Sequence, residues 1–146
     1  MPSEVLADLA ADYSEACLVL PDSEKASAAL CRRCLQNLLR QKAGIRLGDL
    51  AGEIQAVLDS RQLPAHLAEE LDAVRNIGNF AAHPLKATNP AEIVAVEPHE
   101  AEWSLNILES LFDFYFDHPA RAKAKRDALN AKLQNMGRPP MQQPKP

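Results

Sequence analysis

The interval between apolar residues is the strongest constraint on what this chain can fold into. They recur three and four positions apart through most of the sequence, as in Leu6, Leu9, Ala10, Tyr13, Ala16, Cys17 and Leu20. That spacing lines one face of an α-helix. Residues Pro84 to Pro98 form the only sizeable stretch that does not read as helix. Within it Ile93–Val96 suits a short extended piece, but one strand cannot make a sheet.

The breaks between helices follow from residue chemistry. A first helix over about Ser3–Val19 ends at Pro21, which has no backbone N–H for the next bond. Asp22 or Ser23 caps a second helix that continues to about Lys42 and turns at Gly44. Its apolar positions, Ala26, Ala29, Leu30, Cys31, Cys34, Leu35 and Leu38, make a face wide enough to be buried on two sides. A third helix covers about Leu47–Asp59. A fourth starts near Pro64, carries Leu67, Leu71, Val74 and Ile77, and stops at or before His83, because Pro84 disfavours helical backbone in the residue preceding it. A fifth spans about His99–Phe116 and holds most of the aromatic residues, Trp103 among them, so it reads as the central core helix. After Pro119 a sixth helix, Ala120 to about Met136, has only a thin stripe of Leu129, Leu133 and Met136. The predicted fold is all-α: a single-domain bundle of about five helices plus a basic C-terminal helical tail. Its expected divisions are a bundle over 1–118, a basic helix over 119–136 and a disordered tail over 137–146, where GRPPMQQPKP has little apolar content.

Charge is distributed unevenly along this order. The 146 residues carry a net −4, but the segment from Arg121 onward carries +6 and residues 1–120 carry −10. An acidic body repels phosphate over long range, which argues against generic coating of DNA. No apolar run is long enough for a membrane span and the acidic start does not read as a secretory leader, so the expected location is the cytoplasm. Cys31 and Cys34 form a CxxC inside a helical pattern, with no second pair and no turn to make a zinc knuckle. Two thiols at that spacing are expected to pack as small apolar side chains, and no metal or other cofactor is expected.

One segment carries candidate chemistry: LDAVRNIGNFAAHP, at the end of the fourth helix. Arg75, Asn79 and His83 stand four apart, so on a regular helix they wind slowly along one face, with Arg75 and His83 about 12 Å apart along the axis. A guanidinium, an amide and an imidazole in a row suit a phosphate or a nucleotide. Arg32 and Arg33 on the second helix are further candidates for phosphate contact, or for salt bridges with the many acids. The other histidines, His66, His99 and His118, are expected to be exposed and without a role.

The combination PDSEKASAALCRRCLQNLL, LGDLAGEI and LDAVRNIGNFAAHP resembles the bacterial domain-of-unknown-function family 4145, over roughly Tyr13 to Asp117, with RNIGNFAAH its most specific part. That family is grouped with the HEPN superfamily (higher eukaryotes and prokaryotes nucleotide-binding) of helical bundles. Many HEPN members are metal-independent ribonucleases acting as homodimers, with an arginine, a following polar residue and a histidine on one helix. The resemblance places these roles on Arg75, Asn76 and His83. It implies a homodimeric HEPN-like module that engages RNA, a nucleotide or a protein partner, such as an antitoxin or a restriction-type protein, in a defence-related or accessory role. Nuclease members have four to six residues between the arginine and the histidine; here there are seven, which puts binding ahead of catalysis. The alternative implied is a toxin-like endoribonuclease in which His83 moves a proton, Arg75 stabilises phosphoryl charge and Asn76 or Asn79 orients one of them. A purely structural helical adaptor is the remaining reading.

Overall fold

The computed structural model describes residues 5–82 and 99–142, and within them the side chains of all but residues 76–82. Six α-helices are present among the described residues: α1 (Ala7–Val19), α2 (Glu24–Lys42), α3 (Leu50–Ser60), α4 (Ala65–Ala82), α5 (Glu100–Phe112) and α6 (His118–Asn135). No strand occurs among them.

The second helix starts on one of its two expected caps, while the third starts at Leu50, three residues later than the predicted Leu47, because Asp49 caps it. The Ser23 side chain accepts from the Ala26 N–H at 3.1 Å, and Asp49 accepts from the Gly52 N–H at 2.9 Å, so α2 and α3 each begin on a capped turn. Past the end of α2 the chain reverses at Gly44, whose φ of +72° is left-handed backbone that favours glycine. The first helix starts later than the predicted Ser3, at Ala7, with Leu6 before it in extended backbone; the extended piece at 93–96 and residues 143–146 lie outside the described residues.

Helix α2 lies at the centre, against α1, α3 and α5, while α4 closes the bundle against α3 and α5. Leu9, Cys34, Leu38, Leu39, Ile54, Val57, Leu71, Leu108, Leu111 and Phe112 are shut away from solvent between these elements. The Phe112 ring meets the edge of Tyr13 at 5.7 Å and lies 6.4 Å from Phe116, joining α1 to the end of α5. The wide face expected on α2 is present, shifted by a residue: Ser27 and Ala28 are buried, while Ala26 and Ala29 are exposed. Ser27 uses its burial, because its Oγ donates to the Ala16 carbonyl at 2.7 Å and holds α1 close to α2.

Two expectations about the C-terminal half are corrected. Trp103 is not a core residue: it is 54% exposed, on the solvent side of α5. Its position in the repeat explains this, since Ala101, Ser104, Leu105, Leu108 and Phe112 make the buried stripe and Trp103 falls with Glu102 and Asn106 on the other side. The predicted break around Pro119 is also absent. A five-residue π-helical turn, Asp113–Asp117, joins α5 directly to α6. A proline in a regular helix collides with the carbonyl four residues back. The wider turn gives its ring room, and the His118 N–H reaches back five residues to Asp113. Arg121 clamps this turn from below, bonding Asp117 and lying 3.0 Å from Asp113.

Beyond the turn α6 buries no residue. Leu129 and Met136 are 42% and 56% exposed, so the thin apolar stripe read from the sequence finds no core within the chain. After Gly137 the chain folds back over α6, and the Met141 N–H donates to Asn130 at 2.9 Å.

Candidate functional site

Arg75 is the one member of the Arg75–Asn79–His83 row whose surroundings are described. The side chains of Asn76 and Asn79 and the whole of His83 lie outside the described residues. Helix α4 carries the backbone through Asn79 to Ala82.

The Arg75 guanidinium sits where α4 meets α3. One of its nitrogens donates to the Gln55 side-chain carbonyl, and another lies 2.7 Å from the Asp72 carboxylate one turn earlier on α4. Leu71 and Val74, which face the core, place Arg75 on the flank of the helix, and its side chain is 26% exposed. This arrangement fixes the planar fork and leaves further N–H groups for an anion, while Asp72 offsets part of the positive charge. Gln55 escaped the sequence reading because nothing in the spacing along α3 says which neighbouring helix it will face.

The two arginines on α2 behave differently. Arg32 is committed to its own fold: it lies 2.5 Å from the buried Glu100 carboxylate and ties α2 to the first turn of α5. Arg33 is 71% exposed, with a loose approach of 3.5 Å to Asp12. Arg32 therefore takes the salt-bridge alternative, and Arg33 keeps most of its fork in solvent.

A second buried ion pair was not read from the sequence. Glu53 on α3 is fully enclosed and accepts from Arg40 Nε at 2.9 Å and from the Leu47 N–H at 3.1 Å. Burial pushes its pKa up, but the hydrogen bonds from Arg40, Gln36 and Leu47 outweigh it and hold the carboxyl below the usual range. The absence of apolar character at position 53, facing the inward side of a helix, was the available signal.

Two surface grooves border α5. One of about 370 Å³ runs between α4 and α5, lined by Glu69, Glu70, Val74, Trp103, Asn106 and Ile107. The other, about 540 Å³, lies near the π turn beside His66, Glu109, Asp113, Phe114 and His118. His66, His99 and His118 are all exposed, as expected. Among the described residues no group of three or more His, Cys, Asp or Glu side chains is placed to hold a metal.

The CxxC packs as its helical setting requires. Cys31 and Cys34 are buried, and burial pushes both thiols up to about 12, so neither is a thiolate near neutral pH. Cys17 is exposed. A thiol reagent applied to native protein is expected to modify Cys17 quickly and the other two only after denaturant is added. Fast modification of all three would contradict this packing.

Fold and site together define an all-helical bundle with one positioned, partly exposed arginine on its fourth helix and a projecting basic helix at its end. No helix among the described residues is long and apolar enough to cross a membrane. The family model described as Domain of unknown function (DUF4145) matches residues 14–135, and the chain belongs to that family. No curated protein and no solved structure matches it.

Proposed function

We propose that the protein is a HEPN-like binding module that works as a homodimer and holds a phosphate-bearing ligand, RNA or a nucleotide, in an accessory or defence-related setting. The observation that carries this reading is the Arg75 guanidinium, fixed by Gln55 and Asp72 yet still reachable from solvent. A fork held in place loses less freedom when it binds an anion than a free side chain does. Asn79 and His83 follow Arg75 in the sequence at intervals of four, and Arg33 adds an exposed cation on α2.

Binding is preferred to cleavage on physical grounds. An arginine that shares its charge with Asp72 is a weaker stabiliser of a phosphoryl transition state than an unpaired one. The seven residues between Arg75 and His83 also exceed the nuclease interval.

Fluorescence anisotropy with a labelled single-stranded RNA and with a labelled nucleotide tests this. Saturable binding is expected, weakened about tenfold by Arg75→Ala, in line with one lost charge-assisted contact. The variant should keep its helical circular dichroism, since Arg75 makes only partly exposed contacts. No binding of either probe, or binding indifferent to Arg75→Ala, would overturn the assignment of the site.

A further inference from the structure

From the α5–α6 rod we infer a second docking surface, distinct from the Arg75 flank, whose occupant is the same rod of a second copy running antiparallel. The inference takes from the proposed function only that the chain forms a homodimer; ligand binding plays no part in it.

The rod from Glu100 to Asn135 is roughly 50 Å long at 1.5 Å per residue. Its N-terminal half presents Glu102, Trp103, Asn106 and Asp113 to solvent, together with Glu109, one of whose carboxylate oxygens accepts from the Tyr13 hydroxyl of the same chain. Glu102, Asn106, Glu109 and Asp113 are three and four apart and form one stripe, with Trp103 beside it on the α4 side. The π turn sets the phase of the second half, as the approach of Arg121 to Asp113 shows. Counting on from Arg121 by threes and fours puts Lys125, Leu129, Lys132 and Met136 along the same side, and all are exposed. One face of the rod is thus acidic with an exposed tryptophan, then basic with two exposed apolar residues. The folded-back chain after Gly137 lies along Asp127, Asn130, Ala131 and Gln134, away from that stripe.

The two halves are mirror images in spacing. Read away from Asp117, acids stand at Asp113, Glu109 and Glu102, and bases at Arg121, Lys125 and Lys132. A two-fold axis at Asp117 therefore sets Glu109 opposite Lys125 of the partner subunit and Glu102 opposite Lys132 of the partner subunit. Arg121 and Asp113, already bonded within each chain, meet at the centre. The same register puts Trp103 within one turn of Leu129 of the partner subunit. Glu69 and Glu70, on the α4 side of the groove beside Trp103, extend the acidic wall. Each copy gives and receives the same contacts, so the assembly closes as a dimer and does not grow into a filament. It also accounts for a helix that buries nothing in its own chain.

Trp103 is the only tryptophan in the sequence and reports directly on this surface. The experiment follows its emission and its quenching by iodide through a dilution series of about a thousandfold, with mass measured by light scattering. Concentrated protein is expected at twice the 16.0 kDa chain mass, with emission shifted to the blue and shielded from iodide. Lys125→Glu with Lys132→Glu should raise the dimer dissociation constant at least tenfold, and adding Glu102→Lys, the position set opposite Lys132, should recover part of that loss. All three positions are exposed, and circular dichroism confirms that the variants are folded. A chain that stays at 16.0 kDa at the highest concentration overturns the inference. So does a dimer whose Trp103 remains open to iodide, or one untouched by the lysine reversals. Loss of RNA binding in Arg75→Ala with the dimer intact would leave the two readings separately decided.

Discussion

Arg40→Met is expected to destabilise the protein by about 3 kcal/mol, because it leaves the enclosed Glu53 carboxylate without its cation. A typical domain has only about 5–15 kcal/mol in hand, so the midpoint of urea unfolding should fall visibly. The double variant Arg40→Met/Glu53→Gln should recover more than half of the loss. Glutamine removes the buried charge while its carbonyl still accepts from the Leu47 N–H. The effect also has a pH signature. In the native protein the Glu53 pKa is held down, so its contribution is present above the ordinary carboxylate range near 4.5 and is lost as pH falls through the lower folded value. In Arg40→Met the hydrogen bond and charge of Arg40 are gone while burial still acts against the bonds from Gln36 and Leu47, so the folded pKa moves up and protonation relieves the variant. The stability gap between the two proteins should narrow as the pH drops toward 4, and a gap that stays constant would show that Arg40 acts through packing of its stem.

Phe112→Ala is the second large effect, expected at about 3–5 kcal/mol. The ring is almost fully buried and joins α1 through Tyr13 to the π turn through Phe116, so its loss leaves a cavity at the meeting point of three elements. Phe112→Leu should cost less than half as much, because it refills most of that volume. If both variants unfolded at the same denaturant concentration as the native chain, the core assignment around α5 would be wrong.

How much of this was legible in the sequence depends on how local each signal is. The helix start at Ser23 and the turn at Gly44 come from residues whose preference is set by their own backbone, and they are found where the chain places them, whereas α3 begins at Leu50 on an Asp49 cap, three residues after the predicted Leu47. The π turn is different: Pro119 forbids a regular helix, but whether the chain stops or widens depends on Asp113, Asp117 and Arg121 acting together. Trp103 was assigned to the core by its residue type although its spacing sets it apart from Leu105, Leu108 and Phe112. The Arg40–Glu53 and Arg32–Glu100 pairs are contacts between helices, and a one-dimensional pattern does not say which faces meet. The candidate site shares that difficulty. Periodicity aligned Arg75 with Asn79 and His83, but only the packing of α3 on α4 revealed that Gln55 and Asp72 hold the guanidinium.

The central claim is that this bundle binds a phosphate-bearing ligand and leaves it whole. It is tested most directly by incubating the purified full-length protein with labelled single-stranded RNA in EDTA and analysing the RNA ends. The account predicts a saturable complex from which the RNA is recovered at full length. Fragments ending in cyclic phosphate, formed by the native chain and absent with His83→Ala, would contradict it and establish a ribonuclease instead.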